Sequence, residues 1–418
     1  MIKLPYLDSI KNRQLVLGTI FTLGLVLRLN AAIHDHTLPE KDAYEYDQIA
    51  LHLVKGEGFR NETGELTAFR PPFYPFFLAA IYKLGGHDYQ LVRIIQAVLS
   101  AATVLVIAGL GCVIFGPQTG YLAGFIAAIY PPFYAFYFSS SALIAETVYI
   151  FIFTLALLTL YFYFSKPSWK IAMLSGLFWG MAILARPIPQ FLLLILPIVF
   201  LVMGYPKRHI SRYFILATGV SALCLVPWVI RNYFVFNEFV PFSTNGGFVF
   251  YESNHPGSDG FGTDFRRNVM MLEVEKLKAQ GVNEAERSRI FFSRGMKFIL
   301  QNPYEALKLF VWKAFLYMDL YHTLEEKNER SRIINWAYVI VLVGAVLGFV
   351  WGASSQQHRR YVLSLLLIFI YFILFHALCH TAHRYRLPSE PILIIMTAFM
   401  LDHLGRRLGA DFKERTRR

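Results

Sequence analysis

Carboxylates and arginines recur beside apolar runs in this chain, and their spacing suggests acid–base chemistry next to a bound anion. The stretch Lys41-Asp42-Ala43-Tyr44-Glu45-Tyr46-Asp47 directly follows the first apolar run. A carboxylate there can act as general base on a hydroxyl within hydrogen-bond reach. On a helix Asp42 and Glu45, three apart, share a face with Tyr46. The same spacing is a capping-box pattern, with Asp42 as N-cap and Glu45 at the third helical position, and from this stretch alone capping is the simpler reading. Arg70 precedes Pro71-Pro72-Phe73-Tyr74-Pro75, a proline-stiffened aromatic lead into a helix. Its guanidinium fork suits a lipid phosphate and equally suits an anchor at the headgroup level.

Glu146 opens another apolar run, after Tyr130-Pro131-Pro132-Phe133-Tyr134. A carboxylate at the centre of a span costs roughly 2.5–3.5 kcal/mol, so it faces a polar cavity or a cation unless the span end solvates it. Arg28 and Arg186 lie near span ends, where snorkelling to the surface accounts for them. The segment His380-Thr381-Ala382-His383-Arg384-Tyr385-Arg386-Leu387-Pro388 reads as an outer hairpin between the last two spans. Positive charge there runs against the positive-inside trend and favours a specific anion partner such as phosphate. His380 and His383 have the spacing of a metal pair, but no third ligand is evident and no metal site is assigned.

The elements that position these residues are membrane spans. Apolar residues make up 56% of the 418 and charged residues 16%, against roughly 45–50% and 25% in soluble domains. Mean hydropathy is +0.44. The expected fold is all-α, a polytopic integral membrane protein with about ten spans, at residues 14–34, 89–115, 120–138, 143–164, 170–185, 188–204, 212–232, 333–352, 361–380 and 387–404. The first is read as uncleaved, because Arg28 interrupts it and no small-residue cleavage site follows. With ten spans, the basic clusters at Lys166 and Lys170, at Lys207, Arg208 and Arg212, at His358 to Arg360 and in the tail from Arg406 all fall inside. Topology therefore explains the net charge of +12, and no nucleic-acid partner is inferred. Cys112, Cys224 and Cys379 lie in apolar runs without metal-ligand spacing.

Three regions follow: an N-terminal transmembrane module, 1–232, which includes a first outer loop at 35–88; a second outer loop, 233–332; and the last spans with a basic cytoplasmic tail, 333–418. The first loop reads as two short helices joined by a glycine-rich turn. The second reads as a turn-rich stretch leading into an amphipathic helix around 268–300. Glu305 to Leu320 reads as an interfacial amphipathic helix, because counting it as a span would put a basic cluster outside. Neither repeats nor matching halves of the kind many transporters show are visible.

Taken in order, Asp42-x-x-x-Tyr46-x-x-Ile49-Ala50, Gly56-x-Gly58-Phe59, Ala68-x-Arg70-Pro71-Pro72-x-Tyr74-Pro75, Glu146, Ala185-Arg186-Pro187, Arg231-Asn232-Tyr233, Ser243-Thr244-Asn245-Gly246-Gly247 and Arg384-Tyr385-Arg386-Leu387-Pro388 resemble the GT-C membrane glycosyltransferases. Within them the likeness is to the bacterial branch related to dolichyl-phosphate-mannose-protein mannosyltransferases and lipid A aminoarabinose transferases. It implies transfer of a sugar from a polyprenyl-phosphate carrier to a lipid, glycan or protein acceptor, at the outer face of the cytoplasmic membrane. Asp42 matches the catalytic acid and would deprotonate the acceptor hydroxyl. Glu146 would orient the acceptor or hold a cation such as Arg186. Arg70, Arg384 and Arg386 would bind the carrier phosphate, and Tyr46, Tyr74, Arg186, Asn245 and Tyr385 join them as substrate-binding residues. Ala43 stands where the mannosyltransferases carry a second acid, and Phe69 where the aminoarabinose enzymes carry an acid that helps hold a metal. The sequence thus lends a divalent metal no support, and no cofactor is assigned. A transporter or flippase of lipid-linked sugars, or a non-catalytic subunit of a surface-polysaccharide assembly, remains the competing expectation, and no motif names the sugar.

Overall fold

The computed structural model describes residues 10–135, 141–260, 269–326 and 329–415. The helices are α1 (Ile10–His34), α2 (Asp42–Val54), α3 (Phe73–Gly85), α4 (Tyr89–Phe115), α5 (Pro117–Ile129), α6 (Glu146–Ser165), α7 (Trp169–Ala185), α8 (Pro189–Val202) and α9 (Lys207–Phe236). They continue as α10 (Asn245–Glu252), α11 (Met271–Ala279), α12 (Glu284–Gln301), α13 (Pro303–Tyr317), α14 (Trp336–Ser354), α15 (Arg359–Leu378) and α16 (Glu390–Arg415). The result is an all-α polytopic membrane protein with one departure, an antiparallel hairpin of β1 (Tyr321–Glu326) and β2 (Glu329–Ile334) that pairs Tyr321 with Ile334. The sequence reading placed no strands there.

Among the described residues, seven helices are long and apolar enough to cross a membrane. The others predicted as spans are α5, α7 and α8, of 13, 17 and 14 residues, or about 20–26 Å at 1.5 Å per residue against a hydrocarbon core of about 30 Å. The predicted span at 120–138 runs on into residues outside those described. Local chemistry sets the ends. Asp88 caps α4 by accepting from the Gln90 backbone N–H at 2.7 Å. Gly116 then ends that helix at φ 100, and Pro117 starts the next. The helix predicted around 268–300 is instead two, α11 and α12, broken at Gly281 with φ 78.

Close helix contacts rest on small residues, as expected where lipid removes most of the hydrophobic drive between helices. A Cβ added to Gly176 of α7 would lie 2.6 Å from the Ala217 carbonyl oxygen of α9, so that pair packs backbone against backbone. Gly344 and Gly348 of α14 face Thr397 and Met396 of α16 in the same way.

Two buried cations hold helix ends. Arg28 does not snorkel as predicted: it is fully buried and donates to Ala127 O (3.0 Å), Ala128 O (2.9 Å) and Ser100 Oγ (2.8 Å). It thereby satisfies carbonyls at the end of α5 that the helix leaves without partners. Lys313 of α13, read from sequence as a charge on an interfacial helix, is also buried. Its Nζ donates to Leu378 O (3.2 Å), Cys379 O (3.5 Å) and Asn254 Oδ1 (3.0 Å), which closes the end of α15. Burial drives its pKa down to about 8.

Hydrogen bonds hold the connection 35–88 together and tie it to α9 and to described residues of the connection that follows α9. Asp47, buried on α2, accepts from Tyr82 Oη (2.7 Å), His87 Nε2 (2.8 Å) and Tyr89 Oη (3.2 Å), tying α2 to α3 and to the start of α4. Glu284 at the start of α12 joins the two connections. It accepts from Thr67 Oγ1 (2.7 Å), the Ala68 N–H (2.9 Å) and Thr244 Oγ1 (2.5 Å). Arg231 of α9 donates to Thr67 O (2.7 Å) and Phe59 O (2.9 Å). The Thr244 N–H also donates to Ala68 O at 2.9 Å, so the backbone just before Arg70 is held from α9, α12 and the segment before α10.

The contact between α7 and α9 makes a direct prediction. Gly176→Leu should lower the thermal midpoint of the detergent-purified protein by several degrees. Gly219→Leu, whose added side chain meets open space, should leave it unchanged in the same thermal-unfolding measurement.

Candidate active site

Asp42 begins α2, and it does not cap the helix as the sequence pattern suggested. Lys41 occupies the N-cap position, without a side-chain capping bond. The Asp42 carboxylate instead lies between two arginines. Arg70 Nη2 donates to Oδ1 at 2.6 Å and Arg384 Nη2 to Oδ2 at 2.6 Å. Glu45, one turn on, takes the other edge of Arg70 through Nε at 2.7 Å. Tyr46, on the same face, lies beneath the Arg70 guanidinium at 5.2 Å from its ring centre. The three-residue spacing thus serves an arginine rather than a helix end.

A second carboxylate continues the alternation. Glu146 at the start of α6 is 1% exposed. Its Oε1 is bonded by Arg186 Nη2 and lies 3.6 Å from Arg384 Nε. Neither Glu146 nor Arg186 is solvated in the way their positions at span ends suggested. Arg384 therefore bridges Asp42 and Glu146, and Arg186 and Arg384 both stack on the Tyr385 ring at 5.2 Å. The row runs Glu45, Arg70, Asp42, Arg384, Glu146, Arg186, gathered from α2, the lead into α3, α6, the end of α7 and the hairpin after α15.

Burial by itself would raise the pKa of Asp42, but Arg70 and then Arg384 outweigh it and hold the carboxyl well below the usual carboxylate range. In this arrangement Asp42 is ionised, with both oxygens occupied. For Arg70, burial is outweighed by Asp42 and Glu45, which keep the guanidinium protonated.

Three other predicted site residues lie outside this row. Tyr74 is buried in the core and donates to Gln96 Oε1 at 2.8 Å. Arg386 pairs with Glu390 at 2.8 Å, covers the Tyr338 ring at 3.4 Å and donates to Asp319 O, which fastens the hairpin to α16 and α14. Asn245 lies at the start of α10, beside the Glu284 clamp. Glu45 was left out of the predicted site, although its position three residues after Asp42 was the available signal.

Among the described residues no group of three or more His, Cys, Asp and Glu side chains is placed to hold a metal ion. The donor set suits a divalent cation poorly, since Asp42, Glu45 and Glu146 each already face a guanidinium group. His380 Nδ1 bonds Ser253 Oγ, and the side chain of His383 lies outside the described residues.

Residues 69–230 match the family described as dolichyl-phosphate-mannose-protein mannosyltransferase. Among solved structures, the chain is similar to the oligosaccharyltransferase AglB from Archaeoglobus fulgidus in complex with an inhibitory peptide and a dolichol-phosphate. The TM-score is 0.61 at 15% identity, covering 96% of this chain and 52% of that one. It is also similar to ArnT from Cupriavidus metallidurans bound to undecaprenyl phosphate, with TM-score 0.58 at 15% identity over 93% of this chain and 60% of that one. The chain thus spans about half the length of the oligosaccharyltransferase. No curated protein sequence matches it.

A pH prediction follows from Asp42. A carboxyl with a depressed pKa contributes stability above its unfolded value, about 3.9, and loses it as pH falls through the folded value. The gap in thermal midpoint between wild type and Asp42→Asn should be widest near neutral pH and should narrow below about pH 4.

Proposed function

The chain has the GT-C fold, and we propose that it is a glycosyltransferase. In this reading it moves a sugar from a polyprenyl-phosphate carrier to an acceptor hydroxyl, with inversion at the anomeric carbon. The observation that carries the reading is Asp42 held between Arg70 and Arg384 at the end of an apolar helical bundle. That arrangement puts a potential base next to cations suited to a lipid phosphate. The polyprenyl tail would lie among the helices, and the acceptor would approach from the side of the two long connections. We place the protein in the cytoplasmic membrane with this site on the outer side.

The chemistry uses the arginines twice. An arriving phosphate offers more charge and more oxygens than a carboxylate, so Arg70 and Arg384 turn toward it. Asp42 loses the cations that depress its pKa and becomes basic enough to take the acceptor's hydroxyl proton. The acceptor oxygen attacks the anomeric carbon from the face opposite the phosphate as the bond from that carbon to the phosphate oxygen breaks. Polyprenyl phosphate leaves with the electron pair. It is a good leaving group that needs no proton, and the fixed guanidinium groups stabilise its growing charge. A single displacement inverts the centre, by the logic of inverting glycosidases. Glu146 holds Arg186 in place throughout.

The test is transfer by detergent-purified protein from a panel of radiolabelled polyprenyl-phosphate sugars to a membrane extract. Asp42→Asn should lower kcat about 10²–10⁴-fold, the usual range for a general base, while carrier binding persists. Arg70→Ala should weaken both carrier binding and turnover. Full activity in Asp42→Asn would overturn the base assignment. Carrier translocation in vesicles without transfer would favour the transporter reading.

A further inference from the structure

Beneath the row of charges lies a group of buried polar atoms that the proposed chemistry does not use. Glu146 Oε2, Tyr149 Oη, Arg186 Nε and His376 Nε2 have no hydrogen-bond partner in the protein. Tyr149 is fully buried and His376 is 3% exposed. A buried polar atom that nothing meets is costly, so four in one place point to something that does.

They share one place. Tyr149 follows Glu146 by three residues on α6, hence on the same face. Arg186 bonds Glu146 and stacks on Tyr385. His376 also packs against Tyr385: its ring stacks on it at 5.1 Å and 19° and on Tyr317 at 5.3 Å and 17°. The charge of Arg186 reaches both Tyr149 and His376. The stack fixes the His376 ring, and Nδ1 lies 3.0 Å from the His380 carbonyl oxygen. A carbonyl only accepts, so Nδ1 carries the proton and Nε2 of the neutral ring presents a bare lone pair.

The chemical inventory is a carboxylate acceptor, an imidazole acceptor, one guanidinium N–H donor and one phenol that does either. Hydroxyl groups both donate and accept, and several on one rigid ring can meet all four. We propose that Tyr149 and His376, with the free edges of Glu146 and Arg186, form a subsite that recognises a polyhydroxylated glycosyl group. This deepens the proposed function and rests on it for the identity of the carrier.

The test compares binding of undecaprenyl phosphate with binding of undecaprenyl-phosphate mannose, glucose and arabinose to the purified full-length protein. The decisive variant is Tyr149→Phe, which removes only an unpartnered hydroxyl. A purely structural role predicts that it leaves binding alone and keeps or raises the thermal midpoint. The subsite predicts about a tenfold loss of affinity for at least one sugar-bearing carrier, unchanged affinity for bare undecaprenyl phosphate, and no loss of thermal stability. His376→Asn retains a donor near the Nδ1 position but lacks the Nε2 acceptor, and it should show the same selective loss. The proposal is overturned if wild type binds bare and sugar-bearing carriers alike, or if Tyr149→Phe changes neither or both equally. Because binding is the readout, failure of transfer would count against the proposed function without deciding the subsite.

Discussion

Placing several arginines at the end of an apolar bundle is possible only if each finds counter-charge or carbonyl oxygens, and this requirement shapes the molecule. An unpaired ion removed from water costs several kcal/mol even after relaxation. The chain meets the requirement in two ways. Where chemistry is proposed, arginines alternate with carboxylates, so that Asp42 and Glu146 each lie between cations. Where only architecture is needed, Arg28 and Lys313 take backbone oxygens at helix ends and use no carboxylate at all. The first arrangement can respond to an arriving anion, because its cations can exchange one anion for another. The second cannot, since withdrawing the cation would leave helix carbonyls bare.

The same distinction separates the arginines of the hairpin after α15. Arg384 and Arg386 are two residues apart, yet Arg384 faces Asp42 and Glu146 while Arg386 is tied to Glu390, Tyr338 and the Asp319 carbonyl. Both lie in the 3₁₀ helix His383–Ser389, where at about three residues per turn positions two apart point in different directions. One positions the segment and the other is offered to the site. Proximity in sequence gave the two residues a common expectation, and only the fold divides them.

The architecture was legible wherever it depended on composition and periodicity. Long apolar runs located the helices, and the span expected at 89–115 coincides with α4. The site was legible as a set of residue types but not as a set of contacts. The spacing of Asp42 and Glu45 fits a capping box and an arginine clamp equally well, and nothing local decides between them. Glu146 and Arg186 each read by themselves as span-end residues in reach of water; only the family resemblance offered their pairing, which joins α6 to α7 across 40 positions of sequence. The hairpin at 321–334 was missed because short strands without an apolar alternation leave little trace. Tyr149 and His376 sit in apolar helices where an aromatic ring reads as packing, and only the missing partners of their polar atoms set them apart.

The clamp at Glu284 carries a consequence for how this sequence can drift. One carboxylate satisfies a threonine and a backbone N–H of the first connection and a threonine of the second. Positions 67, 244 and 284 therefore do not vary independently. A change at one leaves a polar group stranded at another, and a tolerated replacement calls for a matching one 40 or 217 residues away in the chain. Among proteins that keep this architecture, these three positions should change together, and Arg70 should hold its place through such exchanges because the backbone before it stays fixed.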